Sequence, residues 1–216
     1  MKAFKRLSQM MLAAAVLLST ALQAEVQRFT DPYQMITVVA DHAFSRLAKE
    51  KDNIQQNPEI LRTMVHQELL PYIDVRYAAF RVIGNHIRNT TEEERDAFVS
   101  AFQEYMISTY AGTFTLYRDQ QVVVESGQDV GNRRIATVRT RVIDPGKPDI
   151  TIEFKLIRHR DSEYWQVFDM VAEGISLLDS KRAELGSMIR QQGLTRVTEL
   201  LQERAKQPIE LSEPED

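Results

Sequence analysis

The sequence predicts an α+β domain: about six helices packed on an antiparallel sheet of about four strands. Three observations carry this. Apolar residues recur with a period near 3.6 from residue 31 to about 117, then with a period of 2 to about residue 172, then near 3.6 again. The connections between the period-2 segments are short, which joins neighbouring strands as an antiparallel meander. Helical segments lie before and after one block of strands, so the helices cover one face of the sheet.

The first 24 residues stand outside that fold. "MKAFKR" carries Lys2, Lys5 and Arg6, and "LSQMMLAAAVLLSTALQA" is apolar and ends in small residues. This reads as a secretory signal peptide, cleaved after Ala24 or, with Ser19 upstream, after Ala21. The apolar run is shorter than the roughly 20 residues that a spanning helix needs. Residues 25–208 are expected to form a single domain, and the acidic end 209–216, "IELSEPED", to be a disordered tail. The 216 residues include no cysteine, so no disulfide and no lipid-bearing cysteine is expected. Without residues 1–24 the formal charge moves from −4 to −7, because three cations leave and no acid does. An acidic product is unsuited to general nucleic-acid binding.

Asp31-Pro32 predicts the start of the first helix, with Ile36, Val39, Ala43 and Leu47 on one side. Asn57-Pro58 starts a second, with Leu61, Met64, Val65 and Leu69, interrupted by Pro71. A third spans about 72–87. "TEEE" at 91–94 is a capping box, with Thr91 as cap and Glu94 reaching back. The long helix that follows bears a broad stripe of Phe98, Phe102, Tyr105, Met106, Thr109 and Tyr110, continued by Phe114 and Tyr117.

"QQVVVES" is the first strand. In "RRIATVRTRVI", Ala136, Val138, Thr140 and Val142 alternate with Arg133, Arg139 and Arg141. "DPGKPD" turns the chain into "ITIEFKLIR", where Ile150, Ile152, Phe154 and Leu156 face inward. "HRDSE" turns it again into "YWQVFDMVAEGISLL". Read as one strand, this last segment points Trp165, Val167, Val171 and Ile175 to one side and Phe168, Met170 and Ala172 to the other. Helices at about 177–191 and 195–206 close the chain, the first stopped by Gly193.

Few residues suggest chemistry. Asp169 and Glu173 lie roughly 13 Å apart along an extended strand, too far for a glycosidase carboxylate pair at about 5–9.5 Å. Helix capping or backbone hydrogen bonding is the expected role. His42, His66, His86 and His159 are scattered without metal-ligand spacing, so no metal site is expected. Ser176 in "GISLL" lacks the second glycine of a nucleophile elbow. Arg133, Arg139 and Arg141, with Lys155, form either a solvated face of cross-strand pairs or a docking patch for an acidic partner or a phosphate head group. For the aromatic stripe and the inward strand faces an ordinary filled core is the usual role, and composition and periodicity alone do not separate it from a ligand cavity. A hydrolase and an adaptor module with a filled core stay as alternatives to a binding protein.

"NPEILRTMVHQELLPYIDVRYAAFRVIG" (57–84), "RVIDPGKPDI" (141–150) and "WQVFDMVAEGISLL" (165–178) resemble the MlaC family, also called the toluene-tolerance family, over about residues 30–206. The resemblance implies a twisted antiparallel sheet with packed helices enclosing an apolar phospholipid pocket. It implies a periplasmic carrier, a monomer that does not insert stably in membranes, with phospholipid as cargo, no cofactor and no catalytic residue. The implied partners are the outer-membrane MlaA complex and the inner-membrane MlaFEDB transporter, through MlaD. Ile150 and Ile175 would then sit on the pocket wall, joined by Phe102, Tyr105, Val138, Val142, Phe154 and Val167.

Overall fold

The computed structural model describes residues 26–127, 129–144 and 146–211. The expected signal peptide and residues 212–216 of the expected tail lie outside them. Helix α1 (Pro32–Lys49) starts where Asp31 accepts hydrogen bonds from the Tyr33 and Gln34 amides at its N-terminus. Helices α2 (Lys51–Gln56) and α3 (Ile60–Met64) follow. Pro71 prevents α3 from continuing as a regular helix, so the chain passes through a π turn, Val65–Leu69, and a 3-10 turn, Leu70–Tyr72. The expected third helix is shorter than its pattern: α4 is Val75–Ile83, ended by Gly84 at φ 56°, and a 3-10 segment runs on to Asn89. Helix α5 (Glu92–Phe114) begins with the expected capping box of Thr91 and Glu94.

The sheet is a meander of β1 (Gln121–Val124), β2 (Ile135–Ile143), β3 (Ile150–Arg158), β4 (Trp165–Ala172) and β5 (Ile175–Ser176), in that order and antiparallel throughout. The fifth strand is the one addition to the expected four. Helix α6 (Leu177–Gln192) leaves it directly, and Gly193 separates α6 from α7 (Leu194–Ala205).

The last long strand corrects the sequence reading. β4 is bulged: Asp169 pairs with Lys155, but Val167 pairs with the next residue, Leu156, so Phe168 is the extra residue. A bulge reverses which side successive residues face. Val167, Met170 and Ala172 therefore share the face of Leu156, Phe154 and Ile152. Val171 lies on the other face with Asp169, and Ile175 pairs with Ala172, so it joins the Met170 side.

Three apolar clusters hold the fold. Helices α4 to α7 enclose Ala79, Phe98, Leu185 and Leu201. α1, α3 and the far half of α5 meet around Leu47, Leu61, Ile107 and Ile209. α1 covers one part of the sheet through Met35, Ile36, Ala136, Val138, Leu156 and Trp165. Ile209 corrects the expected disorder of residues 209–211: it is buried, and its amide donates to Glu59 Oε1 at 2.8 Å. Asp74 ties the two layers together. It caps α4 at the Tyr77 amide, its own amide donates to the Val167 carbonyl, and its carboxylate meets His159 Nε2 at 2.5 Å.

Candidate lipid cleft

Helix α5 passes through the middle of the helical layer and is apolar on more than one side. Phe98, Ala101 and Phe102 face α4, α6 and α7, while Ile107 and Ala111 face α1 and α3. Between these two contacts, Tyr105, Met106, Thr109 and Tyr110 look onto the bulged part of β4 and the start of α6. A cavity of about 170 Å³ lies there. Ala78 and Phe102 line its buried end, Phe168 and Met170 its strand side, and the exposed Thr109 and Ser180 with the half-buried Lys181 its rim.

The sheet face continues that cavity. Met170 pairs with Phe154, and Ala172 pairs with both Ile152 and Ile175. Val142 pairs with Ile150 on the same face. α1 covers only the other end of this face, so these residues stay half-buried or exposed, with Ile150 at 45% and Ile175 at 63%. The result is an apolar surface that runs from the sheet edge into the space between β4 and α5.

Of the residues proposed from the sequence, Phe102 and Tyr105 line the cavity, Val142, Ile150 and Ile175 lie on the open part of the face, and Phe154 is half-buried against the cluster under α1. Val138 and Val167 share that face but pack under α1; Val138 has no exposure and is filled core. Met106, Tyr110, Met170 and Lys181 line the cavity without having been singled out as wall residues. For Met106 and Tyr110 the signal was present, since they lie four and eight residues beyond Phe102 on one helix face. Met170 was hidden by the bulge.

The polar groups at this place are structural. The Asp169 carboxylate is buried, with 3% of its side chain exposed. It accepts from Lys155 Nζ at 3.1 Å, Ser176 Oγ at 2.8 Å and the Leu178 amide at 3.1 Å, so it anchors the start of α6 to β4. The expected capping role is what the geometry has. Glu173 Oε1 accepts from the Thr151 amide at 2.5 Å. Burial pushes the Tyr110 phenol up to about 12, and the Asp169 charge adds to the effect.

At the rim, Lys181 Nζ donates to Glu184 Oε2 at 2.8 Å, and Arg204 Nη1 donates to Glu184 Oε1 at 3.0 Å. Burial works against the Lys181 charge, but Glu184 and the Tyr105 hydroxyl more than offset it, and its pKa is raised. The hydrogen bond from Lys181, joined by that from Arg204, holds Glu184 below its usual value.

The arginine stripe is largely neutralised. Arg139 meets Glu153 Oε1 at 2.6 Å, and Arg141 meets Asp149 at 3.0 Å and Glu125 at 3.6 Å. Arg139 and Arg141 thus stand in the ion pairs of a solvated face, whereas Arg133 precedes β2 and is exposed. An open groove of about 370 Å³ between the end of α4 and α6 is lined by Val82, Ile83 and Ala183 together with His86, Asp179, Arg182 and Arg190, so an acyl chain laid in it would meet charged groups. Among the described residues no group of three or more His, Cys, Asp or Glu is placed to hold a metal ion.

Helices stacked on one face of an antiparallel meander, with an apolar cleft left between the two layers, define an α+β binding protein. The model of the MlaC protein family matches residues 37–203, and the chain belongs to the MlaC family. It is 32% identical over 181 residues to the intermembrane phospholipid transport system binding protein MlaC of Haemophilus influenzae, covering 83% of this chain and 85% of the relative. Among solved structures it resembles the phospholipid-binding protein from Ralstonia solanacearum in complex with a phospholipid. That match has a TM-score of 0.72 at 19% identity, over 81% of this chain and 97% of the other, and it shows the shared fold.

Proposed function

We propose that this protein is a soluble periplasmic carrier that holds a phospholipid by its acyl chains, with the head group in solvent. It moves its cargo between the outer-membrane MlaA complex and the inner-membrane MlaFEDB transporter. One observation carries the reading: an apolar sheet face, covered by α1 at one end, stays open at the other and leads into the cavity between β4 and α5. The phospholipid named for the relative and for the structural neighbour supports it. So does the engagement of Asp169, Glu173 and Ser176 in structural hydrogen bonds, which leaves these groups no evident chemical task.

Energetics set what such a carrier must do. A two-tailed lipid buries on the order of 30 methylenes, at about 0.8 kcal/mol each relative to water. The competing phase is a bilayer, so the cleft must nearly match a membrane without greatly exceeding it. A cavity of about 170 Å³ is smaller than the roughly 300–1,000 Å³ that enclose drug-sized ligands. Uptake therefore parts α5 and the start of α6 from β4, and the acyl chains fill the gap. No described helix is long and apolar enough to cross a membrane.

Native mass spectrometry of protein purified from its own cells tests the proposal. A population heavier by the mass of a phospholipid is expected. Bare protein alone, from cells with normal phospholipid, would overturn it.

A further inference from the structure

The cleft is apolar inside, and a phospholipid held there by its chains carries one negative phosphodiester at the rim. The described groups at that rim differ in what they can offer an anion. Thr109 Oγ1 already donates to the Tyr105 carbonyl and Ser180 Oγ to the Ser176 carbonyl. Lys181 is the one cation among the described residues lining the cavity, and an ammonium has three donors, of which Glu184 takes one and the Tyr105 hydroxyl engages another, leaving a third. Its Nζ lies 5.2 Å from the centre of the Tyr105 ring, a cavity wall residue, so the charge is held at the boundary between grease and water. Arg204 approaches from α7 and shares the same carboxylate. Two cations and one carboxylate leave a net charge of +1, which a phosphodiester would neutralise. Glu184 and Arg204 are about two-fifths exposed, so their pair is water-screened and easily rearranged.

We propose that Lys181, backed by Arg204 through Glu184, takes the phosphate of the bound lipid at the mouth of the cleft. The lipid is thereby selected for its phosphodiester as well as for its chains. The inference rests on the carrier reading and adds to it a residue that sets cargo class.

The test compares two fluorescent lipids with identical acyl chains, phosphatidylglycerol and diacylglycerol, each offered in neutral vesicles to the whole chain without its first 24 residues. Lys181→Gln should reduce phosphatidylglycerol uptake about tenfold, the scale of one lost hydrogen bond to a charged group. Diacylglycerol uptake and the thermal midpoint should stay unchanged, and Lys181→Arg should restore most of the loss. Equal phosphatidylglycerol uptake by Lys181→Gln and the unmodified chain would overturn the proposal. So would a parallel loss of both lipids, which would assign Lys181 a packing role. Calorimetric binding of inorganic phosphate that Lys181→Gln abolishes, with lipid uptake untouched, would assign the cluster to free phosphate instead. If the unmodified chain extracts neither lipid, it is the carrier reading that falls.

Discussion

Asp169 satisfies three donors from three places: a neighbouring strand, the short strand β5 and the first turn of α6. Removing its carboxylate leaves the Leu178 amide without its acceptor and Lys155 without its ion-pair partner. Asp169→Ala is expected to destabilise the fold by about 2–4 kcal/mol, reduced from a fully buried pair because Lys155 reaches solvent. Asp169→Asn, which keeps an acceptor, should cost less and still carry lipid once folded. Urea unfolding and lipid uptake on the same preparations check both statements. A loss of uptake by well-folded Asp169→Asn would mean that the carboxylate does more than anchor α6.

Tyr110 offers a second test at this scale. Its folded pKa of about 12 lies above the ordinary value of 10.0. Between those pH values the unfolded chain has released the phenolic proton and the folded chain has kept it. Stability is therefore complete below pH 10 and declines as pH rises toward 12. Tyr110→Phe should flatten part of that alkaline decline in a series of urea midpoints, with the remainder due to other buried phenols such as Tyr72.

At the scale of elements, β4 and the turn after it decide where the cleft opens. The bulge at Phe168 puts Met170 on the sheet face of Phe154 and Asp169 on the opposite face, and both border the cavity. Glu173 and Gly174 then reverse the chain with φ of 48° and 80°, so that β5 places Ile175 beside Ala172 and α6 starts at once. An added Cβ at Gly174 meets nothing within 4 Å, so any penalty there is one of backbone conformation alone. Gly174→Ala is expected to cost about 1–2 kcal/mol in urea unfolding. Because the turn aims both Ile175 and the start of α6, the variant should lower lipid uptake by more than its unfolded fraction explains.

For the whole molecule, the question is whether the open sheet face is cargo surface or ordinary exterior. Ile175 is 63% exposed, so a charge placed there stays hydrated in the free protein. Ile175→Glu should change stability by no more than about 0.5 kcal/mol, the usual range for surface substitutions. In the loaded protein the same charge would lie against acyl chain, where an unpaired carboxylate is strongly disfavoured. Bound phospholipid should fall severalfold while the thermal midpoint holds, with Ile175→Ala as the control for size. Retention of phospholipid by a folded Ile175→Glu would remove Ile175 from the lipid surface. Val138→Ala should behave in the opposite way, losing stability through a cavity under α1 and sparing uptake.

Local signals were enough for most of the fold. Asp31-Pro32, the Thr91–Glu94 capping box and Gly193 mark helix ends through contacts between near neighbours, and all three act as the sequence predicts. Alternation in β2 and β3 assigned Val142, Ile150 and Phe154 to one face, because a regular strand turns every second side chain the same way. The family, too, was legible in short strings such as "DMVAEGISLL". What only the tertiary structure decided was which part of that apolar face is covered. Val138 and Phe154 are cross-strand partners with the same pattern and pack on the same α1 cluster, yet Val138 is sealed and Phe154 stays partly exposed. The bulge at Phe168 depends on pairing with β3, and the Lys181–Glu184–Arg204 cluster on α7 returning beside α6. Periodicity reports the direction of a side chain relative to its own backbone, whereas a cleft is a property of what a second element fails to cover.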